Sequence, residues 1–348
     1  MTKEKVYIGV SGGVDSAAAV LILKNKGYDV VGVYIDMLGD ENNDIDILKE
    51  RLDVEIIVVN AHEEFERQVV SPFVEAYVNG ETPSPCSVCN PLIKWDILIK
   101  TANKYSGESA KVATGHYAQV VERDSLLYIA KAKDELKNQS YYLWRLSQDV
   151  LKRALFPLGS YLKSELKEMM SAKGYDFVAK KKESMGVCFL KGKSYQEFLL
   201  NRVPELNNLE GGELLSADNT VIGHHKGYPF YTLAQRKGLP IEKGKCVVKI
   251  DKDANRLFVG TPEDLKTRNL IVKDYKIVNK KEFFSSDKLS LCVRGIGENP
   301  QGYCKVELIE NDQKLSIEIL DDDAWAVTAG QPVVFYIDNV VVGGAICC

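Results

Sequence analysis

Strand-length and helix-length segments alternate through the first 113 residues, and that alternation restricts the chain to a small set of folds. Val6–Val10, Val30–Ile35 and Glu55–Val59 are short apolar runs of strand length. Between them, Ala17–Lys26, with Leu21 and Ile22 in its apolar face, and Asp44–Leu52 read as helices. Further helices are expected around Phe65–Val78 and Ile93–Tyr105, ahead of a strand at Lys111–Ala113. Strands joined through helices in this way predict a parallel sheet covered on both faces.

Beyond residue 200 the pattern changes. Gly and Asn cluster through Asn207–Gly212, and short β-type runs divided by turns follow. They are Cys246–Ile250, Arg256–Val259, Leu289–Val293, Leu315–Leu320 and Pro332–Ile337. This reads as small barrels or sandwiches, not as more α/β. A chain of 348 residues also exceeds what one hydrophobic core ordinarily spans. The expected segments are 1–200, 201–266 and 267–348.

No apolar run approaches the roughly 20 residues that cross a bilayer. Met1–Lys5 carries no signal-peptide pattern, so a cytoplasmic location without a membrane partner is expected. A net charge of −4 argues against a broadly basic nucleic-acid coat. Local basic patches remain at Lys131/Lys133/Lys137 and Lys180-Lys181-Lys182, each balanced by the plainer reading of solvated surface lysines.

The first strand runs into Ser11-Gly12-Gly13-Val14-Asp15-Ser16 and then a helix. Gly12 and Gly13 let the backbone approach a ligand closely. The new helix offers N–H groups and the positive end of its dipole, which together suit a polyphosphate. Ser11 and Ser16 add hydroxyls, and Asp15 is placed to cap the helix or to hold Mg²⁺ beside the phosphates. No Gly-Lys-Ser/Thr follows, so this is not a Walker A loop, and γ-phosphate transfer has little support. The loop resembles the Ser-Gly-Gly-x-Asp-Ser motif of the PP-loop superfamily, whose members split ATP between the α and β phosphates.

Eight cysteines in a long chain do not read as a disulfide framework. Cys246, Cys292 and Cys304 lie in apolar strand-like contexts and are expected to be buried small hydrophobes. Cys86 and Cys89 follow Pro83 and Pro85 in a stiff segment, and the expected helix behind them sets Cys89 near a helix N-terminus, where a thiolate is favoured. Cys188 follows the lysine-rich stretch 180–182, another environment that lowers a thiol pKa.

Several further segments occur in a fixed order with these: Gly9–Ser16, Thr82–Asn90, Ala113–Tyr117, Lys137–Tyr142, Glu183–Phe189 and Gly223–Gly238. That order and spacing resemble the bacterial tRNA-specific 2-thiouridylase family from about residue 5 to the C-terminal Val-Gly-Gly-Ala-Ile. The resemblance implies an α/β fold: a doubly wound parallel-sheet PP-loop domain, a small β-rich central domain and a C-terminal β-barrel. It implies ATP, with Mg²⁺, on Gly9, Val10, Ser11, Gly12, Gly13, Val14, Asp15, Ser16, Ile35 and Gly115. It implies tRNA contacts at Ser84, Pro85, Cys86, His116, Lys137, Asn138, Gln139 and Gln331, with a buried structural histidine as the competing reading of His116. Cys188 would carry the incoming sulfur as a persulfide and Cys89 would be its partner. The implied partners are therefore tRNA, a persulfide-carrying sulfur donor and a disulfide reductant.

The chain also departs from the family. Cys86 stands where many relatives have Asp, Asn138 replaces the aspartate of Lys-Asp-Gln, and Asp36–Asn43 is a shortened stretch. The barrel's Arg-Tyr pair has no counterpart in Arg294-Gly-Ile-Gly297. The three cysteines open a second route, in which Cys86, Cys89 and Cys188 hold an iron–sulfur cluster. A divergent paralogue that thiolates a different RNA position, a PP-loop C–N ligase, an RNA-binding paralogue without catalysis and a zinc-structured module complete the alternatives.

Overall fold

The computed structural model describes residues 3–39, 44–172, 186–311 and 313–348. The expectations for Lys180–Lys182 and Glu183–Met185, and for the end of the Asp36–Asn43 stretch, lie outside the described residues. The chain divides into two compact units. One comprises Met1–Val69, Cys86–Met185 and Asn339–Val342, and the other Val70–Pro85, Gly186–Asp338 and Gly343–Cys348.

The first unit is built on a five-stranded parallel sheet. Its strands are β1 (Lys5–Gly9), β2 (Asp29–Asp36), β3 (Glu55–Asn60), β4 (Lys111–Ala113) and β7 (Ala154–Leu155), in the order β3-β2-β1-β4-β7. Side chains alternate across a strand, and β1 uses both faces. Val6 and Ile8 enter the core formed with α1 (Val14–Asn25). Tyr7 and Gly9 face the helix Asp96–Ser106: the Tyr7 hydroxyl meets Ser106 Oγ at 2.7 Å, and a Cβ on Gly9 would lie 3.6 Å from Leu98. Helices therefore cover both faces of the sheet, as the alternation predicts.

Helix α1 starts at Val14, three residues before its expected start, and is buried at Val14 and from Ser16 to Leu23. Its small residues Ala17, Ala18 and Ala19 let it lie close on the sheet. The sequence also conceals a hairpin, β5 (Ala118–Arg123) with β6 (Leu126–Lys131). Its two-residue turn takes positive φ at Asp124 and Ser125, the geometry that matches strand twist, without the glycine that normally announces it. The first residues of β19 (Val340–Cys347) group with this unit, where Val340 registers with Ala130.

Two expected helices differ in extent. The stretch expected at Phe65–Val78 is a short helix His62–Phe65, a π-helical turn Glu66–Val70 and a helix Ser71–Val78. The helix expected from Ile93 begins at Pro85 and passes through a π-helical turn at Asn90–Trp95. Proline at the first helical position is pre-set for a helix start, so Pro85 opens the helix instead of holding the chain extended.

The second unit is β-rich. A four-stranded sheet has the order β10 (Cys246–Asp251), β11 (Arg256–Gly260), β8 (Gly212–Leu215), β9 (Val221–His225). An antiparallel set follows, with β13 (Asn269–Ile277), β14 (Leu289–Cys292), β15 (Cys304–Ile309), β16 (Lys314–Ile319) and β18 (Pro332–Ile337). In β16, Leu315, Ile317 and Ile319 point inward while Glu318 is exposed. Every residue of β18 is buried. Cys246 and Cys304 are buried as expected, whereas Cys292 at the end of β14 is only half-buried. Among the described residues no helix is long and apolar enough to cross a membrane.

Gly159 marks a tight point in the first unit, because an added Cβ would overlap the carbonyl oxygen of Ala118 and crowd Gln119. Backbone must move to relieve such a clash, so Gly159→Ala is expected to lose about 2–3 kcal/mol of stability. Urea denaturation measures the loss, and an unchanged midpoint would contradict the packing described.

Candidate active site

Chain order reverses between β1 and β4. The chain builds outward from β1 through β2 to β3, then returns to lay β4 on the other side of β1. Ligands of open parallel sheets bind beyond the strand C-termini at such a switch point. Both flanking strands end there in residues singled out from sequence: β1 leads into Val10–Gly13, and β4 into Thr114–Gly115.

The loop is shaped by its own serines. Ser16 Oγ donates to the carbonyl of Gly13 at 3.0 Å and accepts from the backbone N–H of Ser11 at 3.2 Å. Gly12 takes a φ of +69°, and Gly13 occupies the N-cap of α1 without any side-chain cap. The first-turn N–H groups are thus left to face whatever lies beyond the helix. A Cβ on Gly115 would stand 3.0 Å from the backbone carbon of Asp15 and the nitrogen of Ser16, so only glycine allows β4's exit to lie this close. Ile35, near the end of β2, is half-buried and in register with Val59.

Asp15 does not cap the helix. Its Oδ1 accepts from the Tyr117 hydroxyl at 2.9 Å and from the Lys163 ammonium. Lys163 is itself buried, at 6% exposure, which a cation tolerates only with such a partner. Lys163 lies 148 residues from Asp15 and carries no local pattern that would single it out in the sequence. Asp134, equally without a local signal, accepts from the backbone N–H of Lys163 at 2.8 Å and from that of Lys137 at 3.2 Å.

The residues 137–139 follow this turn. Asn138 Oδ1 accepts from the backbones of Ala132 and Ser140, both at 3.3 Å. Gln139 receives a bond on Oε1 from the Tyr117 N–H and returns one from its own N–H to the Tyr117 carbonyl. His116 Nδ1 meets Thr114 Oγ1 at 2.8 Å. Burial, and secondarily the charge of Lys94, push its imidazole down to about 3, so it is neutral at physiological pH.

The cysteines separate by environment. Burial pushes the Cys304 thiol up to about 12 and Cys347 up to about 11, which leaves both unreactive. Cys89 is 5% exposed and lies within the helix that Pro85 opens, its Sγ 4.0 Å from Met37 Sδ. Cys86, in the first turn of that helix, is exposed, and its charge helps raise the Tyr142 pKa, after burial. In the second unit, Cys188 is exposed at the start of a short 3-10 turn. The next residue, Phe189, anchors it edge-on against Phe73 with centroids 5.0 Å apart. Gln331 also belongs to the second unit, where its side-chain amide donates to the Thr82 carbonyl at 2.6 Å, just before Ser84 and Pro85. Among the described residues, no three His, Cys, Asp or Glu side chains group as a metal site.

The tRNA-specific 2-thiouridylase MnmA 3 of Bacteroides fragilis is 40% identical over 347 residues, covering 99% of this chain and 94% of that protein. The chain belongs to the tRNA-specific 2-thiouridylase family. A second 2-thiouridylase, MnmA of Chlorobium phaeobacteroides, is 37% identical over 99% of this chain and 97% of its own length. Family descriptions match in three consecutive blocks: a tRNA methyl transferase HUP domain at residues 4–192, a PRC-barrel domain at 196–261 and an aminomethyltransferase β-barrel domain at 267–347. This 2-thiouridylase-family chain therefore has the expected architecture, a parallel-sheet nucleotide domain followed by a small β domain and a β-barrel. Among solved structures, NMN synthetase from Francisella tularensis aligns over 58% of this chain and 78% of its own at 16% identity, with a TM-score of 0.34.

His116 also gives this chain a pH signature. Folded, the imidazole stays neutral down to about 3, and unfolded it protonates near 6.5. The unfolded chain thus binds the extra proton, and stability falls as pH drops from 6.5 towards 3, by up to about 1.4 kcal/mol per unit. His116→Gln is expected to flatten the dependence of the urea midpoint on pH across that window. An unchanged slope would contradict the desolvation of the imidazole.

Proposed function

We propose that the chain is an ATP-dependent tRNA-uridine 2-sulfurtransferase acting on the wobble uridine. The single observation that carries this is the uncapped N-terminus of α1 at the sheet's switch point, closed on one side by Gly115. A polyphosphate fits such a cradle, and the lack of a loop lysine favours cleavage next to the α-phosphate. ATP would lie on Gly9–Ser16 with Ile35 and Gly115 beside it, and Mg²⁺ would accompany the phosphates. Ser84, Pro85, Cys86, His116, Lys137, Asn138, Gln139 and Gln331 are the residues offered to tRNA.

The description matched at 4–192 names methyl transfer, whereas the full-length relatives are named thiouridylases. The Cys86-x-x-Cys89 segment and Cys188 favour sulfur chemistry. A carbonyl oxygen leaves poorly and AMP leaves well, so adenylation at O2 opens C2 to attack. The outer sulfur of a Cys188 persulfide attacks C2 and AMP departs. Cys89 thiolate then attacks Cys188 Sγ, the S–S bond to the transferred sulfur breaks, and a Cys89–Cys188 disulfide forms for a reductant to reopen. The exposed Cys188 suits loading by a persulfide-carrying protein. The same reading assigns the nucleotide domain to 1–200, the central domain to 201–266 and the barrel to 267–348.

Cys89→Ser and Cys188→Ser are each expected to lower thiolation at least about a thousandfold, as loss of a nucleophile does. Both variants retain pyrophosphate release from ATP in the presence of tRNA. Mass spectrometry of wobble uridines reads the product, and full 2-thiouridine formation by either variant would overturn the mechanism. Protein purified without air should be colourless, iron-free and active; activity that requires stoichiometric iron would shift the reading to a cluster on Cys86, Cys89 and Cys188.

A further inference from the structure

Two arms of hydrogen bonds leave the turn at residues 134–139 and end on one oxygen atom. In the first, Asp134 accepts from the backbone of Lys137 through Oδ1 and from the backbone of Lys163 through Oδ2, and the Lys163 ammonium donates to Asp15 Oδ1. In the second, Gln139 exchanges bonds of 2.8 and 2.9 Å with the backbone of Tyr117. The Tyr117 hydroxyl donates to the same Asp15 Oδ1. Lys163 and Tyr117 are both buried, whereas the Asp15 carboxylate is half-buried, so both donors reach it from the protein side of the loop.

Asp15 sits one residue inside α1, directly behind the phosphate loop. An unneutralised carboxylate there would repel a polyphosphate. Two donors on one of its oxygens offset that charge and fix the side chain, and both donors are held from residues 134–139. A ligand that orders residues 137–139 therefore also orders the groups that make the loop receptive to anions.

We propose that RNA seated on Lys137–Gln139 arms the ATP loop through the arms Asp134–Lys163 and Gln139–Tyr117, so that nucleotide and RNA affinities are linked. The inference rests on the proposed function for the placement of ATP and RNA, and adds Asp134, Tyr117 and Lys163 as positioning residues. Linkage is reciprocal: whatever factor RNA applies to nucleotide affinity, nucleotide applies to RNA affinity.

The test titrates the full-length chain with α,β-methylene-ATP, which cannot release pyrophosphate, with and without a synthetic anticodon stem-loop carrying an unmodified wobble uridine. In the wild type the stem-loop is expected to tighten nucleotide binding about tenfold, and the nucleotide to tighten stem-loop binding by the same factor. Tyr117→Phe and Asp134→Ala each cut that factor to about threefold, and the double variant reduces it to about one. Asp134→Asn, which keeps one acceptor, recovers part of it. The factor is a ratio, so a general loss of affinity does not imitate the effect. A double variant with the wild-type factor overturns the proposal. So does a wild-type chain that binds both ligands with no linkage, and the thiolation reading then stands. A chain that binds neither ligand overturns both.

Discussion

A buried ammonium held against the first carboxylate of α1 organises the nucleotide half of this molecule. Lys163 has no place in an apolar interior without Asp15, and Asp15 without Lys163 would set a negative charge behind a loop built for anions. The pair joins a helix that begins at residue 163 to the loop that follows the first strand. It thus fixes elements that the chain lays down far apart. Tyr117 adds a second donor to the same oxygen and ties in the exit of β4.

The sheet supplies the frame in which that pair acts. Alternation along β1 gives one face to α1 and the other to the helix Asp96–Ser106, so the loop between β1 and α1 is anchored at both ends by buried residues. The reversal of strand order then leaves a gap beyond β1 and β4, and Gly115 lets the two loops close to within backbone contact. The site is therefore a product of topology and one missing side chain, more than of any charged cluster.

Local features were legible in the sequence, and distant ones were not. The span of the helix Asp44–Leu52 and of β4, the strand–loop–helix unit and the change to β structure past residue 200 are written in neighbouring residues. The start of α1 at Val14 and of the cysteine helix at Pro85 were misplaced, because glycine and proline each serve both loops and helix starts. The β5–β6 hairpin escaped notice because Asp124-Ser125 lacks a turn glycine. Lys163 and Asp134 could not be singled out, since a lysine and an aspartate on polar stretches look alike whether they face solvent or a carboxylate many residues away. His116 was recognised, yet only its desolvated surroundings in the fold favour the neutral ring.

The contrasting exposure of Cys89 and Cys188 has a consequence for oxidation. A thiol in the interior meets only what the protein admits, whereas a surface thiol meets every small oxidant in solution. Cys188 and Cys86 therefore stand ahead of Cys89 on the path to sulfenic and sulfinic acid, and Cys89 is shielded by the same packing that sets it against Met37. Oxidation of these thiols is therefore lopsided: it begins on the surface and reaches Cys89 last.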